Sequence, residues 1–408
     1  MKSFSGTTDP VYLAPTYPSR ADEFFGRFVQ DRRDLPFVYL TLQISATMLP
    51  LAVLLFVPAV TGWLWWAVFG VYFALGNARF RGPFGLMQHC TSHRVFFKKK
   101  YGYLNHYLPW VIGPLFGQTP ETYFTHHLGM HHPENNLPDD ESSTMFYQRD
   151  SLRSFLRYLG DFFLLGIPKL VSYLGSRNKP TLRRRLLRGE AVYLVVTFGL
   201  LFVNWPATVA VLILPVITGR CIMMLGNWAQ HAFIAADAPD NCYQNSVTCI
   251  NTPYNHKCWN DGYHISHHLK PAMHWTEHPL HFQKNLAQYA ANDAIVFDGI
   301  HFLHIFFYLM AKRYDLLARH FVNLDDRYAD DAEVVALLRS RTRRIAAAPV
   351  LAVACCSCHA ERSEASYHVG TKRSNVIGCF TAFSMTATIS QTQTCGQTGA
   401  RAPSRRRG

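Results

Sequence analysis

Three histidine clusters carry the chemistry this chain could perform: His89-x3-His93, His127-x3-His131-His132 and His264-x2-His267-His268. A fourth element, Asn227-x3-His231, falls between the second and third. Together they offer nine imidazoles, enough for two metal ions. Pairs four residues apart put two rings on one helix face, and imidazole suits iron, zinc, copper and nickel. An all-histidine set with open positions fits redox iron, and two irons can activate dioxygen. The carboxylate-rich route is absent, since no Glu-x-x-His pair of the soluble di-iron kind occurs. No His-Glu-x-x-His motif or Gly-rich nucleotide loop occurs either.

The elements that position these residues are hydrophobic. Of 408 residues, 49% are hydrophobic and 14% aromatic, while only 16% are charged, below the ~25% usual in soluble domains. The net charge of +13 gathers beside apolar runs, a placement that suits anionic lipid headgroups rather than nucleic acid. The ten cysteines form no disulfide framework, which suits a reducing compartment. Met1 to Leu35 lacks the apolar core of a signal peptide.

Phe37 to Val60, Trp63 to Ala78, Ala191 to Trp205 and Ala207 to Gly226 read as four spans in two hairpins. A spanning helix needs about 17–25 residues, so the second and third must be helped by tilt or snorkelling arginines. Arg20, Arg27, Arg32 and Arg33 precede the first hairpin, Lys98, Lys99 and Lys100 follow it, and Arg183, Arg184 and Arg185 precede the second. The tips carry no Lys or Arg, which places both termini and the middle loop in the cytoplasm. None of the twenty histidines falls inside a span. Two further apolar stretches, Leu152 to Val171 and Ile295 to Met310, are expected to lie on the membrane surface. The domain reading is a cytoplasmic segment 1–36, a membrane domain 37–345 and a disordered tail 346–408.

At the boxes HCTSH, HHLGMHH and HISHH, with the extra pair NWAQH, the chain resembles the membrane-bound fatty acid desaturase family from about residue 35 to 310. The resemblance implies an all-α integral membrane fold: four transmembrane helices in two hairpins, with a cytoplasmic helical cap holding a di-iron site. It implies iron ligands at His89, His93, His127, His131, His132, His231, His264, His267 and His268, and a water held by Asn227. His126 competes with His127 for the first place in box two; His127 is favoured because it repeats the four-residue spacing of box one. The implied reaction is oxygen-dependent desaturation of an acyl lipid or acyl thioester, with two iron ions and O2. No haem-carrier or flavin motif is present, so a separate ferredoxin or cytochrome with its reductase is implied. The segment Ser357 to Ser366 resembles translated repeats at the ends of some bacterial proteins, which points to a multi-pass protein of a bacterial inner membrane.

Blander readings apply elsewhere. His106, His256, His301, His304 and His320 read as ordinary surface or interfacial residues, and Asp139, Asp140 and Glu141 as a solvated loop that could orient a ligand. Asn260, Asp261 and Gly262 read as a turn before box three. The rival functions are a membrane hydroxylase of the same architecture and a non-enzymatic histidine-rich metal-binding membrane protein. A metal transporter would need ligands within the spans, and those spans hold only Arg220 as a charge.

Overall fold

The computed structural model describes residues 1–346; the expected tail lies almost wholly outside them. The first long helix, α1 (Leu35–Phe56), begins behind Asp34 with Pro36 in its first turn, where a missing N–H costs nothing. A turn leads into α2 (Gly62–Ala74), a π-helical turn Leu75–Phe80 and α3 (Arg81–His93), one helical run that ends on box one. Helix α4 (Leu152–Ser176) follows the second box, then α5 (Pro180–Val203). The return helix starts at Trp205, passes a π-helical turn Val209–Ile213 and continues as α6 (Leu214–Gln230), which delivers His231.

Among the described residues, three helical runs are long and apolar enough to cross a membrane: Arg32–Phe56, Pro180–Val203 and Trp205–Gln230. Their outward faces are greasy. Val195, Phe198, Phe202 and Trp205 are exposed, as are Trp63, Trp66 and Phe73 on α2, the inverse of a soluble surface and suited to lipid contact. The expected second span coincides with a helical stretch, but α2 has only 13 residues before the π-turn changes its pitch. Trp65 Nε1 donates to Leu55 O across the first hairpin at 3.1 Å, and Tyr193 OH donates to Leu212 O across the second at 2.9 Å. One apolar core, around Phe37, Ile44, Met48, Phe84 and Phe116, joins both hairpins.

The remainder of the described residues is a helical layer with one small sheet, so the expected all-α reading needs a small correction. Strand β1 (Val247–Ile250) pairs in parallel with β2 (Ile295–Asp298) in register Val247 to Ile295. Between them lies α7 (His264–Leu269), which carries box three. Ile295 to Met310, expected on the membrane surface, is instead split. Gly299, in the left-handed region at φ 79°, ends the strand, and α8 (Phe302–Met310) buries Phe302, Ile305, Phe306 and Leu309 among Trp228, Phe233 and Phe297. Helix α4 is amphipathic as expected, yet it also buries Phe155, Tyr158, Leu170 and Leu174.

Arg149 ties this layer together. It is fully buried and donates to the carbonyls of Ala232 (3.0 Å), Thr144 (3.1 Å), Met145 (3.1 Å) and Arg341 (3.0 Å). The segment after box two, the segment after His231 and the helix Asp331–Arg341 thereby share one anchor.

Candidate metal centre

Box one is the end of α3, where His89 and His93 sit one α-helical turn apart. Box three is α7, where His264 and His268 have the same spacing and His267 projects at a different angle. Box two differs. His127–His131 is a π-helical turn, closed by a bond from His132 N–H to His127 O. A π-turn is wider than an α-turn, so it shifts the phase of the side chains that follow it.

The nine histidines gather in two groups, each compact enough to hold a metal ion. His89, His93, His127, His132 and His267 form one; His131, His231, His264 and His268 form the other. The four-residue pair expected in box two is therefore divided. His127 shares its group with His132, their Nε2 atoms 3.0 Å apart, while His131 joins the second group. Boxes two and three follow one rule: the first and last histidines serve one group and the middle one serves the other. His126 belongs to neither, and its Nε2 is buried without a partner.

Within the groups, adjacent Nε2 atoms lie 2.8–3.1 Å apart, for example His89 to His267, His93 to His127 and His231 to His264. Imidazole nitrogens at ~2.1 Å from one ion would be ~3.0 Å apart at right angles and ~3.4 Å apart in a tetrahedron. The spacing is short enough for the nitrogens of each group to share one ion. Hydrogen bonding alone is a poorer account of it, because His127, His132 and His267 each touch two other Nε2 atoms.

The far ring nitrogens are oriented by the protein. His131 Nδ1 donates to Asp140 Oδ2 at 2.7 Å, with Ser142 Oγ at 3.2 Å. His231 Nδ1 donates to Asn245 at 2.9 Å, and His89 Nδ1 lies 3.5 Å from Asp261 Oδ1. Such partners fix the tautomer and leave Nε2 with its lone pair free for a metal. Burial would raise the Asp140 carboxyl, but the His131 imidazole and the Ser142 hydroxyl outweigh it and hold the group well below the usual range. Burial, then the neighbouring imidazoles, keeps His127, His132, His264, His267 and His268 far below the ordinary histidine value. His231 is pushed down to about 4, chiefly by burial. These shifts favour the neutral imidazole, the state a metal ligand requires.

Two of these partners were read differently from sequence. Asp140 is buried rather than solvated, whereas its neighbour Asp139 is exposed. Asp261 does sit in a turn, with Trp259 and Asn260 in left-handed backbone, but it also accepts from Tyr254 OH at 2.7 Å and approaches His89. Gly262 lets that turn touch β1: an added Cβ would lie 2.4 Å from Cys249 O. His278 Nδ1 meets Ser266 Oγ at 2.7 Å and His274 Nε2 meets Asp34 Oδ1 at 3.0 Å, so both brace the surroundings of box three. Asn227 stands in neither group. Its amide nitrogen donates to Ser142 O (2.9 Å) and Tyr158 OH (2.8 Å), and it lines a cavity beside the histidines.

That cavity, about 220 Å³, opens between α3 and α6. His89, His127, His131 and His264 reach its wall, and Phe84, Phe116, Ile222, Met224, Phe302 and Leu303 make much of the rest apolar. His301, expected to be an ordinary interfacial residue, also lines it and stacks on Tyr254 at 4.9 Å. The arrangement can set a hydrocarbon chain against a pair of histidine-ligated metal ions.

No curated protein and no solved structure matches the chain. The fatty acid desaturase family model matches residues 63–299, more than half of the sequence and the stretch that holds all four histidine elements, and the chain belongs to that family.

Proposed function

We propose that this protein is an oxygen-dependent fatty acyl desaturase working through two histidine-ligated irons. The observation that carries the reading is the pair of imidazole groups, five and four strong, beside one apolar cavity. Family membership implies an oxidoreductase, and an all-imidazole ligand set suits redox iron. Two bound irons would supply the oxidising chemistry. The balanced reaction takes one O2, two electrons and two protons, converts a –CH2–CH2– segment to –CH=CH–, and releases two waters.

The chain's own residues hold and orient. The nine imidazoles supply Nε2 lone pairs, and Asp140, Asn245 and Asp261 fix ring orientation. The apolar cavity excludes water and holds one pair of methylenes near His89, His127, His131 and His264, which is the positioning work a featureless substrate demands. Asn227, its amide nitrogen already engaged, has its oxygen left to hold a water beside the second group. We read the helical run through α2 as a fourth crossing, the histidine layer as cytoplasmic and the membrane as the bacterial inner membrane. The substrate is an acyl lipid or acyl thioester, and the electrons come from a separate ferredoxin or cytochrome with its reductase.

The test is the product. Protein purified without chelator should hold roughly two irons per chain. Given oxygen and electrons, it should yield acyl chains two hydrogens lighter, with unsaturation at one main position. Products that gain one oxygen would instead establish the hydroxylase, and zinc at full occupancy in active protein would reject the iron assignment.

A further inference from the structure

Four glycines line the cavity beside the histidines: Gly82, Gly85, Gly219 and Gly226. Two are explained by packing. A Cβ on Gly219 would lie 2.4 Å from Phe116 O, and one on Gly82 would lie 3.0 Å from Cys258 Sγ. The other two are not. A Cβ added to Gly85 or to Gly226 meets nothing within 4 Å. Both sit inside α-helices, α3 and α6, where glycine is the poorest residue after proline and alanine the best. Neither fold nor packing therefore accounts for the missing side chain. Each position is close to the chemistry: Gly85 is one turn before His89 on the same face, and Gly226 adjoins Asn227 and precedes His231 by five residues. Open glycines also occur at Gly70, Gly160 and Gly199, but those three do not line the cavity.

We propose that Gly85 and Gly226 are specificity-determining positions, leaving two strips of bare helix backbone across which the acyl chain passes on its way to the histidines. The inference rests on the reading of the cavity as an acyl site. Bare backbone lets methylenes approach the helix more closely than any side chain allows. The walls at these points have a width set for a saturated chain with no branch. A side chain at either position would occupy the space the substrate needs.

The experiment uses the full chain, purified with its metal, and reads two quantities. The first is the rise in melting temperature on adding octadecanoic acid, which reports binding independently of turnover. The second is the acyl product by mass spectrometry. Gly85→Ala and Gly226→Ala should melt no lower than the unsubstituted protein, because alanine favours the helix and meets no atom. Gly85→Leu and Gly226→Leu should need roughly tenfold or more octadecanoic acid for the same stabilisation, the discrimination a few methylenes bring in an apolar pocket. Gly199→Leu, an open glycine away from the cavity, should respond like the parent. An unchanged response in either leucine variant, or lower melting in the alanine variants, overturns the proposal. Stabilisation that the leucine variants lose, in a parent that forms no unsaturated product, would uphold the glycines' role and reject desaturation alone.

Discussion

Asp140 shows how much the histidines depend on residues that never touch a metal. Its carboxylate is buried, accepts from His131 Nδ1 at 2.7 Å and is held by Ser142. Asp140→Asn would keep the shape but remove the charge that fixes the His131 tautomer. Partners of this kind are worth about 10–100-fold in metal affinity, so chelator competition should strip metal from the variant that much more readily. Asp139→Asn, one residue away on the exposed surface, should behave like the parent; equal losses in both would deny Asp140 its orienting role. The sequence could not separate these neighbours. An acidic run between polar residues is solvated by default, and only the chain's return past His131 buries one member and not the other. The same holds for Asp261, which a turn motif explains locally and His89 explains globally.

At the level of elements, the histidine boxes were legible and their division was not. Spacing alone put His89 with His93, because the pair follows the α-helical repeat. It also put His127 with His131, and there the local helix type intervenes. The π-turn at His127–His131 hands His131 to the other group and brings His132 round to His127. No propensity in Leu128, Gly129 or Met130 announces such a turn. The same phase decides between His126 and His127. His127→Ala should cost bound iron, measured by elemental analysis, whereas His126→Ala should leave the content near that of the parent; the opposite pattern would mean that the helix is in a different register in the loaded protein. Ile295 to Met310 misled for a related reason. A short apolar run does not distinguish a buried strand from a helix, and the pairing partner Val247–Ile250 lies almost fifty residues earlier.

For the whole molecule, apolar runs and basic flanks made the membrane character readable, since lipid-facing helices must be greasy throughout. What could not be read was the link between layers, exemplified by Arg149, whose carbonyl partners come from three separate stretches of chain. The orientation carries its own prediction. If the histidine layer is cytoplasmic, as we propose, cysteines placed at Thr61 and Asn204 should react with an impermeant reagent added to sealed cells, and those at Lys99 and Arg184 should not. Labelling of Lys99→Cys from outside would invert the topology and move the site to the opposite face.

The crossing of ligands between boxes also bears on how the centre is assembled. Box two gives two rings to one group and one to the other, and box three does the reverse. An ion captured by either group therefore orders helices that carry part of the other, and the second ion meets ligands already in place. Loading should be cooperative, with couplings of this type commonly about 1–3 kcal/mol. In native mass spectra of apoprotein given half its complement of ferrous ion, empty and doubly loaded chains should dominate. A population made up mostly of singly loaded chains would show that the two halves fill independently.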